Sequence, residues 1–113
     1  MTSDDLIRIR HMLDAVTEAL EFTKNKNREA LDDSRMLTLA IIKELEIVGE
    51  AASKLSPEFK TGQPHIPWGD IVGMRNRLTH GYFDIDLDRV WDTVIEDLEP
   101  LRDELEKIVG CEK

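Results

Sequence analysis

The sequence predicts an all-α fold, and three observations carry that prediction. Apolar residues recur at steps of three and four along most of the chain. Aromatic residues are only 5% of the chain while 35% are charged, a balance that suits helical bundles better than sheets. Proline and glycine gather in only one substantial stretch, "SPEFKTGQPHI" at 56 to 66. At 113 residues the chain has room for one domain, so we expect residues 1–113 to form a single up-and-down bundle of four main helices, with room for one short extra helix.

The first helix is expected over residues 3 to 24. Ser3 can cap free backbone N–H groups, and Asp4 and Asp5 sit at the positive end of the helix dipole. Leu6, Ile9, Leu13, Val16 and Leu20 form one apolar stripe, and the polar run "TKNKN" ends it. The second helix, from Arg28 to Leu55, has two apolar faces: Ile41, Leu45, Val48, Ala52 and Leu55 on one, Met36, Ala40, Ile47 and Ala51 on the other. Such a helix must be covered twice, within the bundle or by a second subunit.

Residues 56 to 66 read as a connection able to hold one helical turn. Pro67 suits the first position of a third helix, "PWGDIVGMRNRLTH", which Gly81 can terminate. Gly69 and Gly73, four apart, would permit close helix packing. Asp86 can cap the fourth helix, whose Leu87, Trp91, Val94, Leu98, Leu101, Leu105 and Ile108 stay in register past Pro100; the proline predicts a kink rather than a break.

Composition also narrows function. No apolar run approaches the roughly 20 residues of a membrane span, and the opening "MTSDDLIRIRHM" is unlike a secretory signal, so a cytoplasmic protein without membrane partners is expected. The single Cys111 has no second thiol for a disulfide or a zinc site. Asp84, Asp86 and Asp88 alternate, but no glutamate follows at calcium-loop spacing, so neither metal nor cofactor is expected. A net charge of −9 excludes a protein that coats nucleic acid through many Lys and Arg contacts. Any nucleic-acid contact must be local, and no DNA partner is expected.

One stretch departs from this acidity. "GMRNRLTHGYF", residues 73 to 83, holds two arginines, an asparagine, a histidine and a tyrosine with no acid. Asn76 and His80 share a helical face, and Arg75 lies about 140° around from His80, within reach if its long side chain curls back. Tyr82 follows the helix end. The ordinary reading is that Arg and His at a helix C-terminus neutralise free carbonyls and the dipole. The chemical reading is phosphoryl transfer without a metal: imidazole, with an unperturbed pKa of about 6.5, moves protons. Arginine stabilises charge on phosphate oxygens, and Asn orients either group. With RNA, the adjacent 2′-hydroxyl makes the attack intramolecular. One histidine per motif is thin for both acid and base, whereas a two-fold dimer would supply two. Arg77, His11 and His65 read as surface residues.

"RNRLTH" resembles the R-x4-H motif of HEPN-domain ribonucleases, including the polar residue after the arginine. "RNRLTHGY" resembles the longer R-x4-H-x-Y form in HepT toxins, a similarity that runs through "IPWGDIVGMRNRLTHGYFDIDLDRVWDTV". The resemblance implies a HEPN-type all-α bundle, a homodimer with the motif at a shared cleft, and a metal-independent RNA endonuclease acting as the toxin of a type VII toxin–antitoxin pair. It implies that Arg75, Asn76 and His80 are catalytic. Tyr82 matches the tyrosine to which a cognate MntA-type nucleotidyltransferase antitoxin attaches AMP. The rival implication is a non-catalytic helical subunit that binds such a nucleotidyltransferase and its nucleotide.

Overall fold

The computed structural model describes residues 1–80 and 85–111, with His80 and Cys111 described by backbone alone. All regular structure among these residues is helical: α1 (Ser3–Thr23), α2 (Glu29–Asp33), α3 (Arg35–Ser53), α4 (Pro57–Thr61), α5 (Trp68–His80), α6 (Leu87–Asp92) and α7 (Leu98–Cys111). A π-helical turn, Thr93–Asp97, joins α6 to α7 without a loop, so four long helical bodies result, as the periodicity predicts.

α1 starts where the sequence places it, but Thr2 rather than Ser3 is the cap. Thr2 Oγ1 accepts from the Asp5 backbone N–H at 2.9 Å, and the Asp5 carboxylate accepts back from Thr2 N–H at 3.4 Å. At the other end Asn25 takes a left-handed backbone, φ 61°, which asparagine tolerates better than most residues, and the chain turns.

The expected helix from Arg28 to Leu55 is two helices. Ser34 leaves helical geometry (φ −130°, ψ 104°) and accepts from Leu37 N–H at 3.1 Å, which makes it the cap of a new helix. Thr38 Oγ donates to Leu31 O at 2.6 Å across the break. α2 is then tied to the start of α6 by Arg28 Nε and Asp88 at 2.6 Å.

α3 is the spine. It packs on α1 along one side and on α5 along another, while α1 also packs on α7. Ile9, Met12 and Val16 of α1, Ile41, Leu45 and Val48 of α3, and Leu98 and Leu105 of α7 are fully buried together. The second apolar face expected on this helix is only partly covered: Ala51 is buried and Ile47 half-buried, while Met36 is 81% exposed and Leu39 is exposed beside it.

The connection 56–66 holds the expected turn as α4, with Pro57 in its first turn and Ser56 as cap. Phe59 of α4 meets Trp68 with ring centroids 6.1 Å apart, and Trp68 Nε1 donates to Gln63 O at 3.1 Å. These contacts hold the N-terminal end of α5 and so set its direction. Asp86 caps α6 as expected, accepting from Asp88 and Arg89 N–H. The missing N–H and bulky ring of Pro100 are accommodated one turn upstream, where Leu98 N–H bonds Thr93 O in the π-helical turn. Val90, Val94, Leu98, Leu105 and Ile108 stay buried through it. Among the described residues no helix is long and apolar enough to cross a membrane.

Candidate functional site

α5 carries the motif, and its position depends on one glycine of α3. A Cβ added at Gly49 would stand 2.1 Å from Arg75 Cβ, closer than atoms can pack, and 3.2 Å from Ile71 O, a tight contact. Only glycine lets the two backbones approach here. The sequence pattern offers Gly69 and Gly73 for close packing, and the structure corrects this: among the described residues nothing lies within 4 Å of a Cβ at Gly69, and only the Arg77 guanidinium comes near one at Gly73. Ile71 and Leu78 face the core on the buried side of α5, which leaves Arg75, Asn76 and Thr79 at or near the surface.

Arg75 is not a solvated charge. Its Nη2 pairs with Glu50 Oε2 at 2.5 Å, and its Nη1 donates to Asn76 Oδ1 at 2.9 Å. Glu50 also holds Lys54 at 3.2 Å. The Lys54 ammonium and then the Arg75 charge keep the Glu50 carboxyl below its ordinary range. The fork of Arg75 is therefore fixed by two neighbours, with the remaining guanidinium N–H groups available for another acceptor. Asn76 thus touches Arg75 directly, as the acceptor of one of its guanidinium N–H groups.

Arg75 and Thr79 form one bank of a groove of about 360 Å³ whose floor is α3 and whose other bank is α1. α3 contributes Lys43, Glu46 and Glu50, with Lys54 just past its C-terminal end, and α1 contributes Arg8 and His11. The groove thus gathers four of the chain's 15 Lys and Arg but only two of its 24 Asp and Glu, so it is locally positive on a strongly acidic protein. His11, which the sequence offers only as a surface residue, is exposed as expected yet shares this groove with Arg75. His65 is exposed too, and pairs with Glu104 at 2.8 Å elsewhere. Arg77 is exposed.

His80 ends α5; its side chain, Gly81 and Tyr82 fall outside the described residues. The expectations placed on Gly81, Tyr82 and Asp84 fall there with them. No group of three or more potential metal ligands occurs among the described residues.

Sequence reasoning misses Glu50, Lys54, Arg8, His11 and Lys43 as neighbours of Arg75. A signal was available within α3, where Lys43, Ile47, Glu50 and Lys54 recur at three and four and mark one face of the helix. Nothing in the order of residues assigns Arg8 to that face.

Compared with known proteins, residues 12–108 match the family model described as "Ribonuclease HepT-like". Over 100 residues the chain is 35% identical to the "Probable ribonuclease HepT" of Thermococcus cleftensis, covering 85% of this chain and 91% of that one. It is 36% identical over 95 residues to "Putative RNase MJ1380" of Methanocaldococcus jannaschii, covering 84% of this chain and 87% of that protein. A third relative, "Gamma-glutamylcyclotransferase and putative RNase MJ0434" of the same organism, is 36% identical over 109 residues. That alignment covers 96% of this chain, which spans only about half, 49%, of the relative's length. No solved structure matches. A helical bundle with Arg75 fixed at a cationic groove and a family model covering residues 12–108 agree, and the chain belongs to the HepT-like ribonuclease family.

Proposed function

We propose that this protein is a metal-independent RNA endonuclease, the toxin of a type VII toxin–antitoxin pair, with residues 1–113 acting as one HEPN domain. The observation that carries the reading is the placement of Arg75: a guanidinium held by Glu50 and Asn76 at the edge of a positive groove, on the helix that ends five residues later at His80. In this reading Arg75, Asn76 and His80 are catalytic. A phosphodiester of RNA enters the groove and its non-bridging oxygens meet Arg75, which stabilises the charge that builds there in the transition state. The neighbouring 2′-oxygen attacks phosphorus and the 5′-oxygen leaves. His80 moves a proton in this exchange, from the 2′-hydroxyl or to the departing oxygen. The products are a 2′,3′-cyclic phosphate and a free 5′-hydroxyl, and the internal nucleophile removes the need for a metal to activate water.

The uncovered apolar surface of α3, Met36 and Leu39, supports a homodimer. A dimer bringing two motifs to one cleft would supply a second histidine. Tyr82, two residues after His80, is the regulatory site: AMP attached there by an MntA-type nucleotidyltransferase would add negative charge and bulk beside the catalytic set. RNA, a second copy and that nucleotidyltransferase are the partners of this reading, and its setting is the cytoplasm.

The test is cleavage of total cellular RNA by the purified, unmodified protein in EDTA, alongside His80→Ala. Discrete products with cyclic-phosphate ends from the wild type only are expected. Absence of cleavage by protein whose Tyr82 carries no adduct would replace this reading with that of a non-catalytic partner of the nucleotidyltransferase.

A further inference from the structure

We propose that Arg8, His11 and Lys43 form a phosphate-binding track that holds single-stranded RNA on the α1 side of the groove, beyond the scissile phosphate at Arg75. The inference rests on the ribonuclease reading above and extends it to residues outside the motif.

The groove separates its cations into two groups. Arg75 and Lys54 are engaged: both bind the carboxylate of Glu50. Arg8 and Lys43 form no ion pair with a carboxylate of any described residue, although the chain carries 24 acids. Other cations of the described surface also lack a carboxylate partner, but Arg8 and Lys43 line one concave groove together, where a single outside polyanion can meet both. Among the described residues Glu46 is the one other acid lining the groove, and its single charge cannot neutralise both Arg8 and Lys43.

The spatial order fits a polyanion better than a single small anion. Lys43 on α3 and Lys54, which caps its C-terminal end, are 11 residues apart, so at about 1.5 Å per residue the floor between them spans roughly 16 Å. Arg8 and His11 are three apart on α1 and so lie on one face of it. A chain of phosphates following the groove would meet the α1 bank and Lys43 as well as Arg75, whereas a lone phosphate would satisfy only one end. The described lining supplies mainly charge, which suits contact with phosphates. The track therefore adds affinity and register without sequence preference. Its small number of cations explains how an acidic protein can select RNA locally without coating it.

The experiment measures binding of a short fluorescein-labelled 2′-O-methyl RNA, which lacks the attacking hydroxyl, to the full-length protein over a series of salt concentrations. The variants are Arg8→Ala with Lys43→Ala, the charge-keeping pair Arg8→Lys with Lys43→Arg, and Lys107→Ala on α7 as a remote control. Each phosphate contact in a single strand contributes about 0.7 to the slope of log K against log salt, so the double alanine variant should lose about 1.4 from that slope and bind more weakly at any one salt concentration. The charge-keeping pair and Lys107→Ala should keep the wild-type slope. An unchanged slope in the double alanine variant overturns the track, as does an equal loss in Lys107→Ala.

Cleavage distinguishes this failure from failure of the ribonuclease reading. If the double alanine variant binds like wild type and wild type still cuts total RNA, the track falls and the ribonuclease stands. If wild type cuts nothing while the slope still drops by the expected amount, the track stands and the ribonuclease reading falls. If the double alanine variant keeps its RNA binding but no longer co-elutes with the nucleotidyltransferase, the groove is a protein-docking surface and the track is overturned.

Discussion

Glu44 lies in the apolar line of α3, three residues after Ile41 and four before Val48, and is 7% exposed. Burial first, then a hydrogen bond with Glu18 and the charge of that second carboxylate, push its pKa from 4.5 to about 7. Its Oε2 has no hydrogen-bond partner among the described residues. Below pH 4.5 the group is protonated whether the chain is folded or not, and it contributes no pH dependence. Between 4.5 and 7 the unfolded chain releases the proton while the native protein retains it, so stability falls as pH rises, and above about 7 the loss is complete. At about 1.4 kcal/mol for each pH unit between the two pKa values, the loss is roughly 3 kcal/mol. Glu44→Gln keeps the shape and the neutral state at every pH. It should match wild type near pH 4.5 and exceed it at pH 8 by that amount, a Tm difference on the order of 10 °C. Thermal unfolding followed by circular dichroism between pH 4.5 and 8 measures it, with Glu18→Gln recovering a smaller part because burial is the larger cause. A Tm gap between wild type and Glu44→Gln that is the same at both ends of the range would refute the reasoning.

Two further substitutions test how the bundle positions the site. Gly49→Ala would gain about 1 kcal/mol in an open helix, but here the new methyl overlaps Arg75, so we expect a loss of about 2 kcal/mol in urea unfolding together with loss of RNA cleavage. Gly69→Ala, where a Cβ meets nothing within 4 Å, should show the ordinary gain. Asp5 is buried, completes the capping box of α1 with Thr2, and accepts from Ser56 N–H at 2.9 Å and Ser56 Oγ at 2.7 Å, which ties α1 to the start of α4. Asp5→Ala should cost about 3 kcal/mol, since it strips a buried charge-assisted network. Burial alone would raise the Asp5 pKa, but the hydrogen bonds from Ser56 and Thr2 outweigh it and lower it below 3.8. Its contribution is present above that value and disappears as pH falls through the folded pKa, so denaturation of wild type and variant should converge in strong acid.

The order of residues alone determined the helices, most of their ends and the place of the motif. Periods of three and four reveal a buried face wherever a helix packs on others, and caps such as Asp86 act over three residues, so both are written locally. The break at Ser34 was harder to see, because the apolar period runs through it and only the serine's own bond to Leu37 N–H competes with helix. The tertiary structure decided what surrounds Arg75. Residues 8, 43, 50 and 75 belong to three helices, and no local rule states which polar faces will share a groove once those helices pack. It also decided which glycine matters: the spacing of Gly69 and Gly73 suggested contact, but a glycine matters only where another backbone arrives, and α5 arrives at Gly49. Glu44 follows the same logic, since the fold buries that position and charge must be placed wherever the packed helices leave it, in water or out of it.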